Sequence, residues 1–200
     1  MQSDLAPNQD AFHWRKIKLI VDTTEGRQAM TSFYGVDMTR DELCSLIKKR
    51  KTLIEAIQDT KSQDGYVLRI FAIAFTRESP NQKSKTNYAQ SSQQKAIRRK
   101  INEIVAREVA KSNATDVLKL FTSEAVEKKI TKEVSHIYPV KNVKVRKIKV
   151  IQRPKIDATK LSEMHNPELR ILTQNVKKVT NKKGKVERVV DTEAVNLVNK

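Results

Sequence analysis

Between Lys141 and Lys155, seven of fifteen residues are basic (Lys141, Lys144, Arg146, Lys147, Lys149, Arg153 and Lys155) and none is acidic. A second stretch, Lys83 to Lys100, holds Lys83, Lys85, Lys95, Arg98, Arg99 and Lys100, again without a carboxylate, and sets Tyr88 among small polar residues. Ammonium and guanidinium groups at this density bind polyanions by displacing condensed counterions, and a tyrosine between them can stack on an unpaired base or a ribose. The whole chain points the same way. Its 200 residues carry 40 Lys plus Arg against 23 Asp plus Glu, a formal net charge of +17 spread in clusters rather than confined to one tail. Solvated faces usually mix both signs, so both segments are expected to contact nucleic acid. Lys48-Lys49-Arg50-Lys51 is a third basic run, read as mid-helix and as open to a nuclear-localisation role.

Other chemistries find little support. His13, His136 and His165 are scattered, with no second His or carboxylate at metal-ligand spacing. His136 is expected to be structural, beside an apolar helix stripe. Cys44 is the only cysteine, so no intramolecular disulfide or thiolate zinc site can form, and its helical spacing from Ile47 suggests packing. The four glycines do not form a phosphate-cradling loop, and the carboxylates are not paired as acid–base or two-metal sets. The reading is therefore of no enzyme, no catalytic residues, no metal and no cofactor; a basic nuclease would need carboxylates that converge only in space. The start, Met1-Gln2-Ser3-Asp4-Leu5, lacks a signal-peptide pattern, and no apolar run is long enough to span a bilayer. No membrane partner and an intracellular, reducing compartment are the expectations.

The elements that must carry these residues follow from periodicity. Ile17, Leu19 and Val21 alternate with Lys16 and Lys18, a half-buried strand; a turn at Glu25-Gly26-Arg27 and a returning strand from Ala29 to Tyr34 complete a hairpin. Thr39 and Glu42 have capping-box spacing, and Leu43, Ile47, Ile54 and Ile57 read as one face of a helix that stops before the Asp64-Gly65 turn. Tyr66 to Phe75 reads as a central strand, and residues 76–90 as a mobile polar loop. Ser91-Ser92-Gln93-Gln94 opens a helix with Ile97, Ile101, Ile104, Val105 and Val109 in one stripe, with Lys95, Arg98 and Arg99 off it. A further helix spans residues 123–137, before Pro139. In the basic strand the apolar phase slips between Val145 and Ile148, predicting a bulge at Arg146-Lys147. The order β-β-α-β, loop, α-α-β gives an α+β fold: one mixed β-sheet packed with about three to four helices, plus an extended basic loop and tail. Residues 1–166 form an RNA-binding domain, and 167–200 a lysine-rich extension read mainly as a disordered basic tail, with a short hairpin about Asn181-Lys182-Lys183-Gly184 as the alternative.

Several strings, in order, resemble one family. They are Phe33-Tyr34-Gly35-Val36-Asp37-Met38-Thr39-Arg40-Asp41 with Leu43-Cys44-Ser45, then Asp64-Gly65-Tyr66-Val67-Leu68-Arg69-Ile70-Phe71, and Thr86 to Gln90. Ile97-Arg98-Arg99-Lys100, His136-Ile137-Tyr138-Pro139, Val145-Arg146-Lys147-Ile148-Lys149 and Leu161-Ser162-Glu163-Met164-His165 continue the series. The set is similar to the small-subunit ribosomal protein S-three-a (e-S-one) family of eukaryotes and archaea. The resemblance runs from about residue 3 to 166 and does not extend to 167–200.

It implies a structural constituent of the small ribosomal subunit, bound to its ribosomal RNA on the platform near the mRNA exit and flanked by neighbouring small-subunit ribosomal proteins. On this reading mRNA near the exit is a further partner, and the location is cytoplasmic, with nucleolar assembly in a eukaryote. Both basic segments would then clamp RNA backbone. Family members usually begin with a lysine-rich extension and a strand-forming region ahead of the part resembling Ser3-Asp4-Leu5; this chain starts without them, and an unpaired sheet edge is the expected consequence. That difference sustains the alternative of a free-standing RNA-binding regulatory paralogue not stably incorporated in the ribosome.

Overall fold

The computed structural model describes residues 1–5, 13–25 and 28–155. The turn at 26–27, the Leu161–His165 motif, the 166/167 boundary and the 167–200 extension lie outside the described residues. Five strands, β1 (Arg15–Glu25), β2 (Gln28–Met38), β3 (Leu53–Lys61), β4 (Val67–Thr76) and β5 (Val140–Gln152), form one sheet in the order β1-β2-β5-β4-β3. Every strand pairing is antiparallel, so the α+β class holds while the sheet is not mixed.

β4 is apolar on both faces, and a strand of that kind needs a layer on each side. On one side Leu68, Ile70, Ala72 and Ala74 pack beneath three helices, α3 (Ser91–Ala110), α4 (Ala114–Thr122) and α5 (Ala125–Val134). On the other, Ile73 and Phe75 join Trp14, Met38 and Leu46, under the short helix α2 (Arg40–Leu46). A four-residue helix, α1 (Gln2–Leu5), precedes β1, and the Gln2 amide oxygen accepts from the buried Arg15 guanidinium at 3.2 Å.

The long helix expected from Thr39 past Ile57 is two elements. α2 ends at Leu46, Ile47 is extended, and Arg50 takes a left-handed φ of 66° that no helix interior allows. β3 follows, with Ile54 and Ala56 buried between exposed Leu53, Glu55 and Ile57. The helical spacing of Ile54 and Ile57 was fortuitous; burial at every second residue is the strand's period. The Thr39 side chain makes no cap bond; the Thr39 N–H donates to the Trp14 carbonyl at 2.9 Å, and the Glu42 carboxylate accepts from Lys144 (Nζ to Oε1, 2.6 Å) instead.

α3 buries the five expected apolar residues, although its cap lies one residue earlier than expected, with the Gln93 side chain accepting from the Gln90 N–H at 3.0 Å. α4 had no counterpart in the sequence reading; Val117 and Phe121 anchor it, and the Asp64 carboxylate accepts from the N–H of Ala114 at 2.9 Å. Leu19 and Val21 are exposed rather than half-buried. β1 is the outer strand, and the helix layer packs chiefly over the other side of the sheet.

Candidate nucleic-acid interface

The loop between β4 and α3 is tied down, not mobile. Thr76 and Asn87 are fully buried. The Thr76 hydroxyl donates to the Asn87 carbonyl and accepts from the Thr52 N–H, while the Thr52 hydroxyl accepts from the Ala89 N–H at 3.1 Å. The Asn87 N–H donates to the Arg50 carbonyl at 3.0 Å, and Lys51 and Asn87 form a parallel bridge. This neutral network stitches the 83–90 loop to the 47–52 turn, two segments more than thirty residues apart in the chain. Between buried Asn87 and Ala89, Tyr88 points outward with 61% of its surface exposed.

The stitching brings basic runs together. Lys49, Arg50, Lys51, Lys83 and Lys85 line one cleft of about 380 Å³ with Gln82 and Ser84, and the sole carboxylate in it, Glu78, accepts from the Asn87 amide at 3.2 Å. Gln82 shapes the loop by donating to the Ser84 and Thr86 carbonyls. At the start of β5, Lys141 joins the same cluster. Lys51 above all, then burial and Lys48, pulls the Lys141 ammonium below its usual range. Like charges held this close favour an anion between them. The Lys48–Lys51 run gave little away in sequence because it was placed inside a helix; its true position, in a turn past a helix end, is what exposes it.

The α3 cations divide. Lys95 and Arg99 are exposed and have no carboxylate within ion-pairing distance among the described residues. Arg98 donates to the Glu55 carbonyl at 3.2 Å and to Gln94, and Lys100 lies between Glu103 (3.3 Å) and Glu133 (3.1 Å).

β5 has the greasy and the cationic face read from its sequence. Val140, Val143, Val145 and Ile148 are buried toward the helices, and the expected bulge falls at Arg146, where Phe71 pairs with Lys147 but Ala72 with Val145. A further bulge, absent from the sequence reading, places Asn142 at φ 51°. The absence of acids in the strand's own sequence does not carry over to space. Strands β1, β2 and β3 and helix α2 supply them: Glu42 to Lys144, Glu55 to Arg146 (3.3 Å), Asp37 to Lys147 (3.2 Å) and Asp22 to Arg153 (3.0 Å). Burial pushes the Asp37 carboxyl up, but the hydrogen bonds and charges of Lys147 and Lys18 outweigh it and leave Asp37 below the usual carboxylate range. Lys144 also lies 4.2 Å from the centre of the Trp14 ring, and Lys149 5.9 Å from that of Phe71. Lys155 is exposed.

Beneath the bulge sits Glu127 of α5, which sequence reasoning did not single out. It is buried, its carboxylate accepts from the Val145 N–H at 2.9 Å, and Arg15 lies 4.0 Å away. Burial pushes the Glu127 carboxyl up to about 7, against the Val145 bond and Arg15. Cys44 is exposed rather than packed, and His136 is exposed just past the end of α5. Among the described residues no group of three or more His, Cys, Asp or Glu could hold a metal, and no helix is long and apolar enough to cross a membrane.

Known proteins are similar to this sequence. The model of the Ribosomal S3Ae family matches residues 1–154. The small ribosomal subunit protein eS1 of Tetrahymena thermophila is 48% identical over 169 residues, covering 83% of this chain and 64% of the relative. That of Plasmodium vivax is 43% identical, covering 90% of this chain and 69% of the relative, and that of Cryptosporidium hominis 46%, covering 82% and 62%. The chain thus spans about two thirds of the length of these relatives.

Proposed function

We propose that this chain, which belongs to the Ribosomal S3Ae family, is a structural, non-catalytic constituent of the small ribosomal subunit that holds ribosomal RNA through its lysine and arginine surfaces. The observation that carries the proposal is the convergence of Lys49, Arg50, Lys51, Lys83 and Lys85 on one cleft, with Lys141 beside it. A built concentration of cations in which the one carboxylate is turned to an asparagine suits a phosphate backbone better than a small acidic ligand. Tyr88 stands where it can stack on an unpaired base at the edge of that cleft's loop, and Lys95 and Arg99 extend the basic surface along α3. Lys147, Lys149, Arg146, Arg153 and Lys155 form a second contact, weaker because most of these cations already face a carboxylate. Arg98, Lys100 and Lys144 act mainly by holding the elements that present the others.

In this role the partners are small-subunit ribosomal RNA and neighbouring ribosomal proteins, with mRNA passing near the exit. The site of action is the cytoplasmic ribosome, after assembly in the nucleolus. The test is sedimentation of the tagged chain from its own cells after a high-salt wash of the subunits. Retention in the small-subunit peak is expected; quantitative release into light fractions would overturn the assignment as an integral constituent.

A further inference from the structure

On the face of the sheet opposite α3–α5, β2 presents a hole flanked by lysines. Gly35 pairs with Lys18 of β1 on one side and Lys149 of β5 on the other, so two lysines flank a residue without a side chain. The glycine is required here. A Cβ at Gly35 would stand 2.5 Å from the Ile148 carbonyl oxygen, since β2 and β5 approach closely over only the three pairs Gly35–Lys149, Val36–Ile148 and Asp37–Lys147. The result is a cleft of about 290 Å³ with Lys18, Lys147 and Lys149 around it. Two of these cations share one counter-charge: Lys18 and Lys147 both reach the same Asp37 oxygen at 3.2 Å, and Lys149 meets no carboxylate among the described residues. Three cations against one anion leave the cleft positive.

An aromatic ring completes it. Lys18 pairs with Gly35 but Leu19 with Phe33, so Tyr34 is the extra residue of a bulge. A bulge re-aims side chains, and here it turns Tyr34 into the cleft's rim with 48% of its surface exposed, while Phe33 and Val36 on either side are buried. A small positive cleft beside an exposed ring has the elements used to bind an unpaired nucleotide: cations for the phosphate and a π-face for the base. Its volume is at the lower limit for ligand clefts and is too narrow for a duplex.

We propose that the cleft over Gly35 captures one unpaired nucleotide of RNA, its phosphate between Lys18 and Lys149 and its base stacked on Tyr34. This rests on the RNA-binding function above and adds a single-strand site separate from the Lys49–Lys85 cleft. Binding of a fluorescent single-stranded oligouridylate and of a fluorescent RNA duplex to the full chain, by anisotropy, tests it. Tyr34→Leu is expected to weaken single-strand binding about fivefold or more while leaving duplex binding unchanged, and Tyr34→Phe to retain both. Lys18→Gln with Lys149→Gln is expected to weaken the single strand and flatten its salt dependence, and serves should the leucine variant misfold. Unchanged single-strand affinity in well-folded Tyr34→Leu, equal losses for single strand and duplex, or displacement of the oligonucleotide by inorganic phosphate alone at comparable concentration would overturn the site. If the cleft variants bind as wild type while Lys83→Gln with Lys85→Gln binds less, only this inference fails. If the wild-type chain binds neither RNA, the functional proposal fails with it.

Discussion

The two basic regions are alike in sequence and opposite in construction. The 48–51 turn and 83–85 loop converge with Lys141, and the network that positions them is made of neutral hydroxyls and backbone groups. The central strand β5 is charged from end to end, yet carboxylates from α2, β2 and β3 face its cations, and a buried carboxylate holds its backbone from below. Charge that is free to meet phosphate is therefore a property of the fold, not of the local sequence. A strand in the middle of a sheet receives counter-charges from both sides, whereas a turn and loop projecting from the sheet's end meet mostly each other.

The difference can be broken at its ends. The largest effect is expected at the support of β5. Glu127→Ala strips the Val145 N–H of its acceptor and leaves Arg15 with its nearest buried carboxylate gone, and should cost about 3–5 kcal/mol in urea unfolding. Glu127→Gln, which keeps an acceptor oxygen, should cost far less. The same residue makes stability depend on pH. Glu127 binds its proton more tightly folded than unfolded, so its contribution is complete below the ordinary carboxyl value and is lost as pH rises through about 7. Between pH 4.5 and above 7 that loss should approach about 3 kcal/mol, and Glu127→Gln should abolish it in a stability–pH series.

The turn–loop region should respond differently. Thr76→Val or Thr52→Val breaks its neutral network and is expected to cost about 1–3 kcal/mol, with no change in pH dependence. Because that network positions the cations, RNA affinity measured well below the melting transition should fall as well. The smallest effect is expected at the half-exposed Arg146–Glu55 pair, where Arg146→Gln should change stability by less than about 1 kcal/mol.

Much of this fold was legible because its strongest signals are local. The α3 stripe follows from burial at the helical period, the doubly apolar β4 from burial on both faces, and the β5 slip from a break in strand alternation. The reading failed where one pattern served two periods. Leu43, Ile47, Ile54 and Ile57 fit a helix by spacing, yet a left-handed Arg50 divides them between α2 and β3. That error hid the Lys48–Lys51 turn and with it half of the candidate site. The mobility expected of the 76–90 loop was wrong for a related reason: polar composition suggests solvation, but Thr76 is buried with its partners and Asn87 is held by backbone bonds to Thr76 and Arg50. The counter-charges on β5 were beyond sequence reasoning altogether, since Asp37 and Glu55 reach it only through strand order and Glu42 only through the packing of α2.

The central claim is that the turn–loop cations are free for phosphate while the β5 cations are largely engaged. Its most direct test is the slope of log affinity against log salt for a small-subunit ribosomal RNA fragment, with two charges removed from each region. Lys83→Gln with Lys85→Gln should reduce the slope by about 1.5, the loss of two phosphate contacts, and Arg146→Gln with Arg153→Gln by about half a unit or less. Equal reductions, or a larger one for the β5 pair, would contradict the account.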